Sequence, residues 1–202
     1  MGRIPAAGLA RVWRAAVIAL VLATASPALA QPIAPQISET FRTEYYELRG
    51  QTPRALHAAL EARREDGAIG ETGTRITFQF TARDTGEQCE LTGLSLTLDI
   101  VVIYPRWSNR ETAPADLQRR WDEFLDALTR HEEGHARMAR EGAADIARQL
   151  AASPPAPDCV QLRTQLSERY DGLRAALEAR QRAYDRDTEG GRTQGAYLRF
   201  NN

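Results

Sequence analysis

One long amphipathic helix constrains the fold of this chain more than any other pattern in its sequence. Apolar residues recur at steps of three and four between Pro114 and the stretch SPPAPD, which ends at Asp158. They are Trp121, Phe124, Leu125, Leu128, Met138, Ile146 and Leu150. Such spacing places them on one face of an α-helix, and that face must pack against other elements. The chain therefore needs at least one further layer of structure to cover this helix.

A second helix supplies part of that layer. It is predicted from Cys159 to Arg186, with Asp158 as its N-cap. Its inward side is predicted to carry Leu162, Leu166, Tyr170, Leu173, Leu177 and Tyr184. Because the connection between the two helices is short, they should pack as an antiparallel hairpin.

The region before the long helix predicts a short helix and a small sheet. TFRTEYYELRG (Thr40 to Gly50) is typical of a strand, and TPRALHAALEARRED predicts a helix with Thr52 as N-cap and Pro53 at its first position. Apolar and polar residues alternate in RITFQFTAR and again in LTGLSLTLDIVVIYP, which indicates an antiparallel hairpin with one buried face. The predicted fold class is α+β, with a small antiparallel sheet packed on the helical hairpin.

The first 30 residues have the pattern of a cleaved secretory signal. They contain three arginines and no acidic residue, then an apolar run, then small residues at Ala28 and Ala30. An uncleaved amphipathic anchor is the alternative. No later stretch approaches the roughly 20 apolar residues of a transmembrane helix. We therefore expect a signal peptide at 1–30 and a single domain at 31–202, periplasmic or secreted, without stable membrane insertion after cleavage.

Charge and cysteine content narrow the partners and the compartment. The chain has 26 basic and 27 acidic residues, and removing three arginines with the signal leaves 23 against 27. A mildly acidic chain argues against nucleic acid or an anionic membrane surface as a partner. The two cysteines, Cys89 and Cys159, are more typical of one disulfide in an exported protein than of zinc thiolates, which use a C-x-x-C pairing.

The stretch RHEEGH within the long helix predicts a metal site. His131 and His135 continue the register of Phe124 and Leu128, so both imidazoles should point towards the core. Two imidazoles one turn apart suit a zinc ion. Glu132 is rotated by about 100° from His131, which in H-E-x-x-H sites places the carboxylate beside the attacking water.

Two further observations bear on that interpretation. Gly134 and Gly142 lie inside the helix, where glycine is unfavourable, and so indicate close approach by another segment. The third histidine, His57, stands alone on the first short helix and is most simply a surface residue. Two surface histidines on an acidic helix remain the alternative for RHEEGH.

The third metal ligand is left open by the residues. A symmetric turn between the two long helices would place Glu178 opposite His131 and Arg174 opposite His135, which makes Glu178 the geometric candidate. The alternative is that the acidic residues at seven-residue spacing, Asp171, Glu178 and Asp185, form a solvated flank paired with Arg174 and Arg182.

Several segments resemble one bacterial family, described as predicted secreted zinc-dependent proteases. They are EYYELRGQTP, YPRW, W-x-x-F-L-x-A-L-x-x-H-E-E-G-H and YDRDTEGGRTQGA, and the likeness covers nearly all of 31–202. The resemblance implies a zincin-like fold, zinc held by His131 and His135, and Glu132 as catalytic acid and base. By the same family pattern Asp185 is the rival third ligand, while Gly190 stands where the family pattern has a histidine.

These observations predict a secreted zinc metallopeptidase that acts on a peptide or protein. Glu132 would serve as the general base for a metal-activated water. An extended substrate could add to the edge of the hairpin from Arg75 to Tyr104. The alternative is an exported, non-catalytic metal-binding or structural protein that retains the H-E-x-x-H helix.

Overall fold

The computed structural model describes residues 33–66 and 68–198, so the predicted signal peptide and its cleavage point lie outside the described residues. The strands are β1 (Gln36–Leu48), β2 (Glu71–Asp84) and β3 (Cys89–Trp107). The helices are α1 (Pro53–Asp66), α2 (Ala115–Ala151) and α3 (Cys159–Thr188), with single 3-10 turns at Arg110–Thr112 and Arg192–Gln194. Over these residues the fold is α+β, as predicted. None of the described helices is long and apolar enough to cross a membrane.

The sheet is mixed, and the prediction of an antiparallel sheet is wrong for one of its strand pairs. The strand order is β1-β3-β2. The predicted hairpin of β2 and β3 is antiparallel, but β1 runs parallel to β3. The reason is the path of the chain through α1. Leu48 at the end of β1 pairs with Trp107, and Glu71 at the start of β2 pairs with Ile103, so α1 returns the chain to the same end of the sheet.

The main core lies between one face of β3 and α2. Leu96, Leu98, Ile100 and Val102 alternate along β3 and are at most 1% exposed. They pack in one cluster with small and branched residues of α2, including Ile146. Burying an aliphatic side chain of this size contributes roughly 1.5–3 kcal/mol. The alternation predicted from the sequence therefore fixes which face of the sheet covers the long helix.

A second apolar cluster supports the first half of α2. Trp121 and Phe124 of α2 pack with Trp107 at the end of β3, and Leu56 and Leu60 bring α1 into the same cluster. The Trp107 indole N–H donates to the Gly50 carbonyl at 2.8 Å, so its one polar group is satisfied while the ring is buried. The two apolar clusters thus hold α2 in place both before and after residues 131–135.

The attachment of α3 begins at its N-terminus. The Asp158 carboxylate accepts from the Gln161 N–H at 2.8 Å, as the predicted cap requires. The predicted disulfide between Cys89 and Cys159 is confirmed, and it joins the start of α3 to the start of β3. Residues Cys89 and Ala156 also exchange two backbone hydrogen bonds.

This attachment shifts α3 along α2. Because the connection reaches out to pair with β3 before α3 begins, the hairpin is not symmetric. Gln181, rather than Arg174, lies level with His135. The shift is seven residues, about two helical turns.

Candidate metal centre

The two histidines of α2 lie inside the fold, one turn apart. His131 is 3% exposed and His135 is 8% exposed, as their register with the apolar residues of the helix predicts. Their Nε2 atoms are 3.3 Å apart. The rings meet edge to face, with centroids 4.8 Å apart, so both Nε2 atoms face one common point.

Asp185 of α3 brings an oxygen to that point. Its Oδ1 lies 2.8 Å from His135 Nε2 and 3.3 Å from His131 Nε2. Ligand atoms of these three residues all lie within 4.8 Å of one another, as in a site that could hold a metal ion. The three side chains line a cleft of about 530 Å³ between the start of β2 and the C-terminal half of α3. The group is therefore reachable from solvent.

Glu178 lies on the wall of the same cleft but not with the histidines. Its carboxylate forms an ion pair with Arg174 and lies 3.9 Å from Arg182. The two-turn shift of α3 explains the difference, because Asp185 is the acidic residue seven positions further along. The structure thus brings Asp185, and not Glu178, to His131 and His135.

The far sides of both imidazoles contact glutamine side chains. His131 Nδ1 lies 3.0 Å from Oε1 of Gln194, and His135 Nδ1 is hydrogen-bonded to Oε1 of Gln181. Neither glutamine is among the site residues predicted from the sequence. Gln181 does fall one turn before Asp185 on the same face of α3, and that spacing is the only signal for it. Gln194 belongs to a turn with no helical period.

Tyr184 packs between the two helices at this centre. Its ring stacks on His131 with centroids 4.9 Å apart and an interplanar angle of 12°. A Cβ on Gly134 would lie 2.7 Å from Cζ of Tyr184, so only glycine leaves room for the ring. Gly142 likewise makes room for Leu177. The predicted close approaches at both glycines are confirmed.

The turn after α3 closes over His131. Gly191 has φ +83°, a conformation that favours glycine, and a Cβ there would lie 2.9 Å from Cγ of His131. Its neighbour Gly190 lines the cleft, and a Cβ at that position would meet open space. The Gly190 position thus borders the cleft and carries no side chain of its own.

Glu132 is buried beside the histidines and lines the cleft. It is 2% exposed, and the Thr72 hydroxyl donates to its Oε2 at 2.7 Å. Burial raises the pKa of the Glu132 carboxyl, whereas the Thr72 hydrogen bond and the charges of the two histidines lower it. A Cβ on Gly70 would lie 2.6 Å from Glu132 Oε1, so the backbone of the segment entering β2 packs closely on this carboxyl group.

The sequence of the chain matches one family model. A family model described as "Bacterial protein of unknown function (DUF922)" matches residues 43–191. The chain belongs to this family. The match includes His131, Glu132, His135 and Asp185, so the whole cluster lies in the family domain, but the description carries no activity. No curated protein and no solved structure matches the chain.

His57 lies on the exposed side of α1, outside the cluster.

Proposed function

We propose that this protein is an exported zinc-dependent peptidase in which His131, His135 and Asp185 hold the metal ion. One observation carries the proposal: two imidazole nitrogens and a carboxylate oxygen converge on one point at the wall of an open cleft. Two imidazoles and one carboxylate are a set of protein ligands that catalytic zinc sites use, with a fourth position left for water or substrate.

The separation of the two nitrogens supports zinc. Two nitrogens that each lie 2.0–2.1 Å from one tetrahedral ion are about 3.3–3.4 Å apart. The two Nε2 atoms are 3.3 Å apart. The pair is therefore already spaced for a common ion.

Glu132 is the proposed general base. A bound zinc ion would supply a Lewis acid that polarises the scissile carbonyl and acidifies water. Glu132 follows His131 directly, lines the same cleft, and has one carboxylate oxygen held by Thr72. Held in this way, the carboxylate would accept a proton from the attacking water and deliver it to the leaving amine.

The start of β2 supports a peptide as substrate. Among the described residues β2 pairs with β3 alone, so it is an edge strand. On its outer edge the Ile76 carbonyl accepts from the Tyr170 hydroxyl, and the stretch nearer the cleft pairs with no other strand. Residues Gly70, Glu71, Thr72 and Thr74 of this region line the cleft opposite Gln181 and Asp185. An extended peptide could add to this edge and lie across the metal centre. Export is supported by the signal pattern at 1–30 and by the disulfide.

A non-catalytic role is the second candidate, and one distance favours it. His135 Nε2 and Asp185 Oδ1 are 2.8 Å apart, which a shared proton satisfies as well as a metal ion does. The cluster would then be a hydrogen-bonded tie between α2 and α3 in an exported structural or binding protein.

Metal analysis and a hydrolysis assay separate the two candidates. We expect about one zinc per purified chain, a loss of zinc in His131→Ala and Asp185→Asn, and retention of zinc in Glu132→Gln. Glu178→Gln is the matched control, because it removes an acid from the same cleft without touching the cluster. Wild-type protein should cleave members of a peptide library, and Glu132→Gln should not.

Two results would contradict the proposal. Absence of zinc after reconstitution at neutral pH would contradict the metal site and support the second candidate, in which the cluster is a hydrogen-bonded link between α2 and α3. Stoichiometric zinc without any hydrolysis that depends on Glu132 would establish a metal-binding protein instead.

A further inference from the structure

Building on the proposed metal site, we propose that Gln181 and Gln194 are positioning residues for the two histidines. Each glutamine holds one imidazole in the tautomer that carries its proton on Nδ1. Both Nε2 atoms then present lone pairs to the point that Asp185 faces. The glutamines are not ligands of the proposed metal ion, and they act on it through His135 and His131.

Gln181 sets the tautomer of His135 because its own amide group is held in one orientation. The Nε2 atom of Gln181 donates to the backbone carbonyl of His135 at 3.1 Å. The amide nitrogen is thereby directed to the carbonyl, and Oε1 is left to face His135 Nδ1. An amide oxygen only accepts hydrogen bonds, so Nδ1 must carry the hydrogen. In a neutral imidazole the lone pair then lies on Nε2.

Gln194 holds His131 by the same logic from a different element. The Tyr184 hydroxyl donates to the His131 carbonyl at 3.4 Å, which leaves its oxygen to accept from Gln194 Nε2 at 3.0 Å. The amide nitrogen of Gln194 is thereby directed to Tyr184, and its Oε1 faces His131 Nδ1 at 3.0 Å. The Thr188 hydroxyl, 3.5 Å from Nδ1, donates instead to the Tyr184 carbonyl at 2.7 Å. Gln194 is therefore the close partner of His131 on this side.

The choice of an amide has a consequence for the metal ion. Carboxylates in this position raise the basicity of a metal-bound imidazole. A glutamine selects the same tautomer but adds no negative charge. The ion would be held by two less basic imidazoles and one carboxylate, so it would retain more of its Lewis acidity. We expect glutamine-to-glutamate exchange to tighten zinc binding and slow hydrolysis.

The experiment compares Gln181→Met, Gln181→Glu and Gln194→Met with wild-type protein. The control is Gln165→Met, on the same helix but away from the cluster, where the side chain bonds to the Pro154 carbonyl. Imidazole ¹⁵N shifts report the tautomer in the metal-free protein at about pH 9, where an ordinary imidazole is neutral. Competition with a chelator reports the zinc affinity.

The tautomers are compared in an Asp185→Ala background, because Asp185 Oδ1, 2.8 Å from His135 Nε2, would otherwise compete with Gln181 for the ring hydrogen. In that background we expect the Nδ1–H tautomer at both histidines. Gln181→Met should remove this preference at His135 alone, Gln194→Met at His131 alone, and each should weaken zinc binding by about 10- to 100-fold when Asp185 is present. Gln181→Glu should restore the tautomer and bind zinc more tightly than wild type. Glutamate cannot donate to the His135 carbonyl, so rescue by glutamate separates tautomer control from a structural role for that hydrogen bond.

The outcomes distinguish this inference from the proposed function. Unchanged tautomers and zinc affinity in both methionine variants would overturn the positioning role while leaving the metal site intact. Failure of Gln181→Glu to rescue the tautomer would overturn it as well. Absence of zinc from the wild type, with tautomers that still follow the glutamines, would overturn the metal site alone.

Discussion

The two long helices contribute to the same centre but are held in the fold in different ways. In α2, 17 of 37 residues are buried, including His131, Glu132 and His135. In α3, 4 of 30 residues are buried, and the Asp185 side chain is half exposed. The α2 side of the centre is thus fixed by packing. The α3 side combines a narrower apolar contact, made by Leu162, Leu166 and Leu177, with the disulfide and the hydrogen bonds of Gln181. A metal centre can be built between a core helix and a surface helix when the surface helix is anchored at specific points.

The largest expected effect comes from removing core volume under α2. Phe124 is 1% exposed, so Phe124→Ala should lower the free energy of unfolding by about 3–5 kcal/mol. Val160 of α3 is 75% exposed, and Val160→Ala should change it by less than about 0.5 kcal/mol. Urea unfolding of both variants measures the contrast. A loss at Val160 similar to that at Phe124 would show that Val160 is covered rather than exposed.

Removing the disulfide tests how α3 is anchored. The bond closes a loop with a sequence separation of 70, for which the chain-entropy model gives a loss of about 4 kcal/mol. We expect this loss in the double variant Cys89→Ala with Cys159→Ala. Because that loss is global, hydrogen exchange should rise in both helices, and the lost local attachment should add a further rise in the first turns of α3. A uniform rise in both helices would contradict the idea that α3 depends on local attachment.

The same substitution should have opposite signs in the two helices. Gly134→Ala places a methyl group against the Tyr184 ring and should cost about 1–3 kcal/mol. Gly172 of α3 has no atom within 4 Å of an added Cβ, so Gly172→Ala should stabilise the helix by about 0.4–1 kcal/mol. Thermal unfolding of the two variants is the measurement. Destabilisation by both substitutions would mean that α3 is covered at Gly172.

The smallest effect concerns the buried charge of Glu132. Burial raises the pKa of this carboxyl above its ordinary value of 4.5 in the folded state. Between 4.5 and the raised pKa, the folded chain therefore holds a proton on Glu132 that the unfolded chain has already lost. Stability is therefore lost as Glu132 ionises. Glu132→Gln should unfold at a higher temperature than wild type at neutral pH, in metal-free protein. The difference in unfolding temperature between the two proteins should shrink below pH 4.5. A difference that does not depend on pH would contradict a raised pKa of Glu132 in the folded state.

The parts of the fold that follow local rules were predictable. Thr52 and Asp158 cap helices where the sequence indicates, and β2 and β3 form the predicted hairpin. The parallel pairing of β1 was not predictable from period or composition, since strand direction depends on where α1 returns the chain. The contact of Asp185 with the two histidines depends on the two-turn shift of α3 along α2, and no helical pattern in the sequence predicts that shift.

The sequence by itself determined α2 and the inward direction of His131 and His135, because a 3.6-residue period and burial of apolar residues are local properties. It also determined the disulfide, because the chain has only two cysteines. Only the tertiary structure decided that Asp185 rather than Glu178 meets the histidines, and that Gln181 and Gln194 hold their far sides. Those contacts depend on the offset between helices and on a closing turn, and both are set by long-range packing between segments distant in sequence.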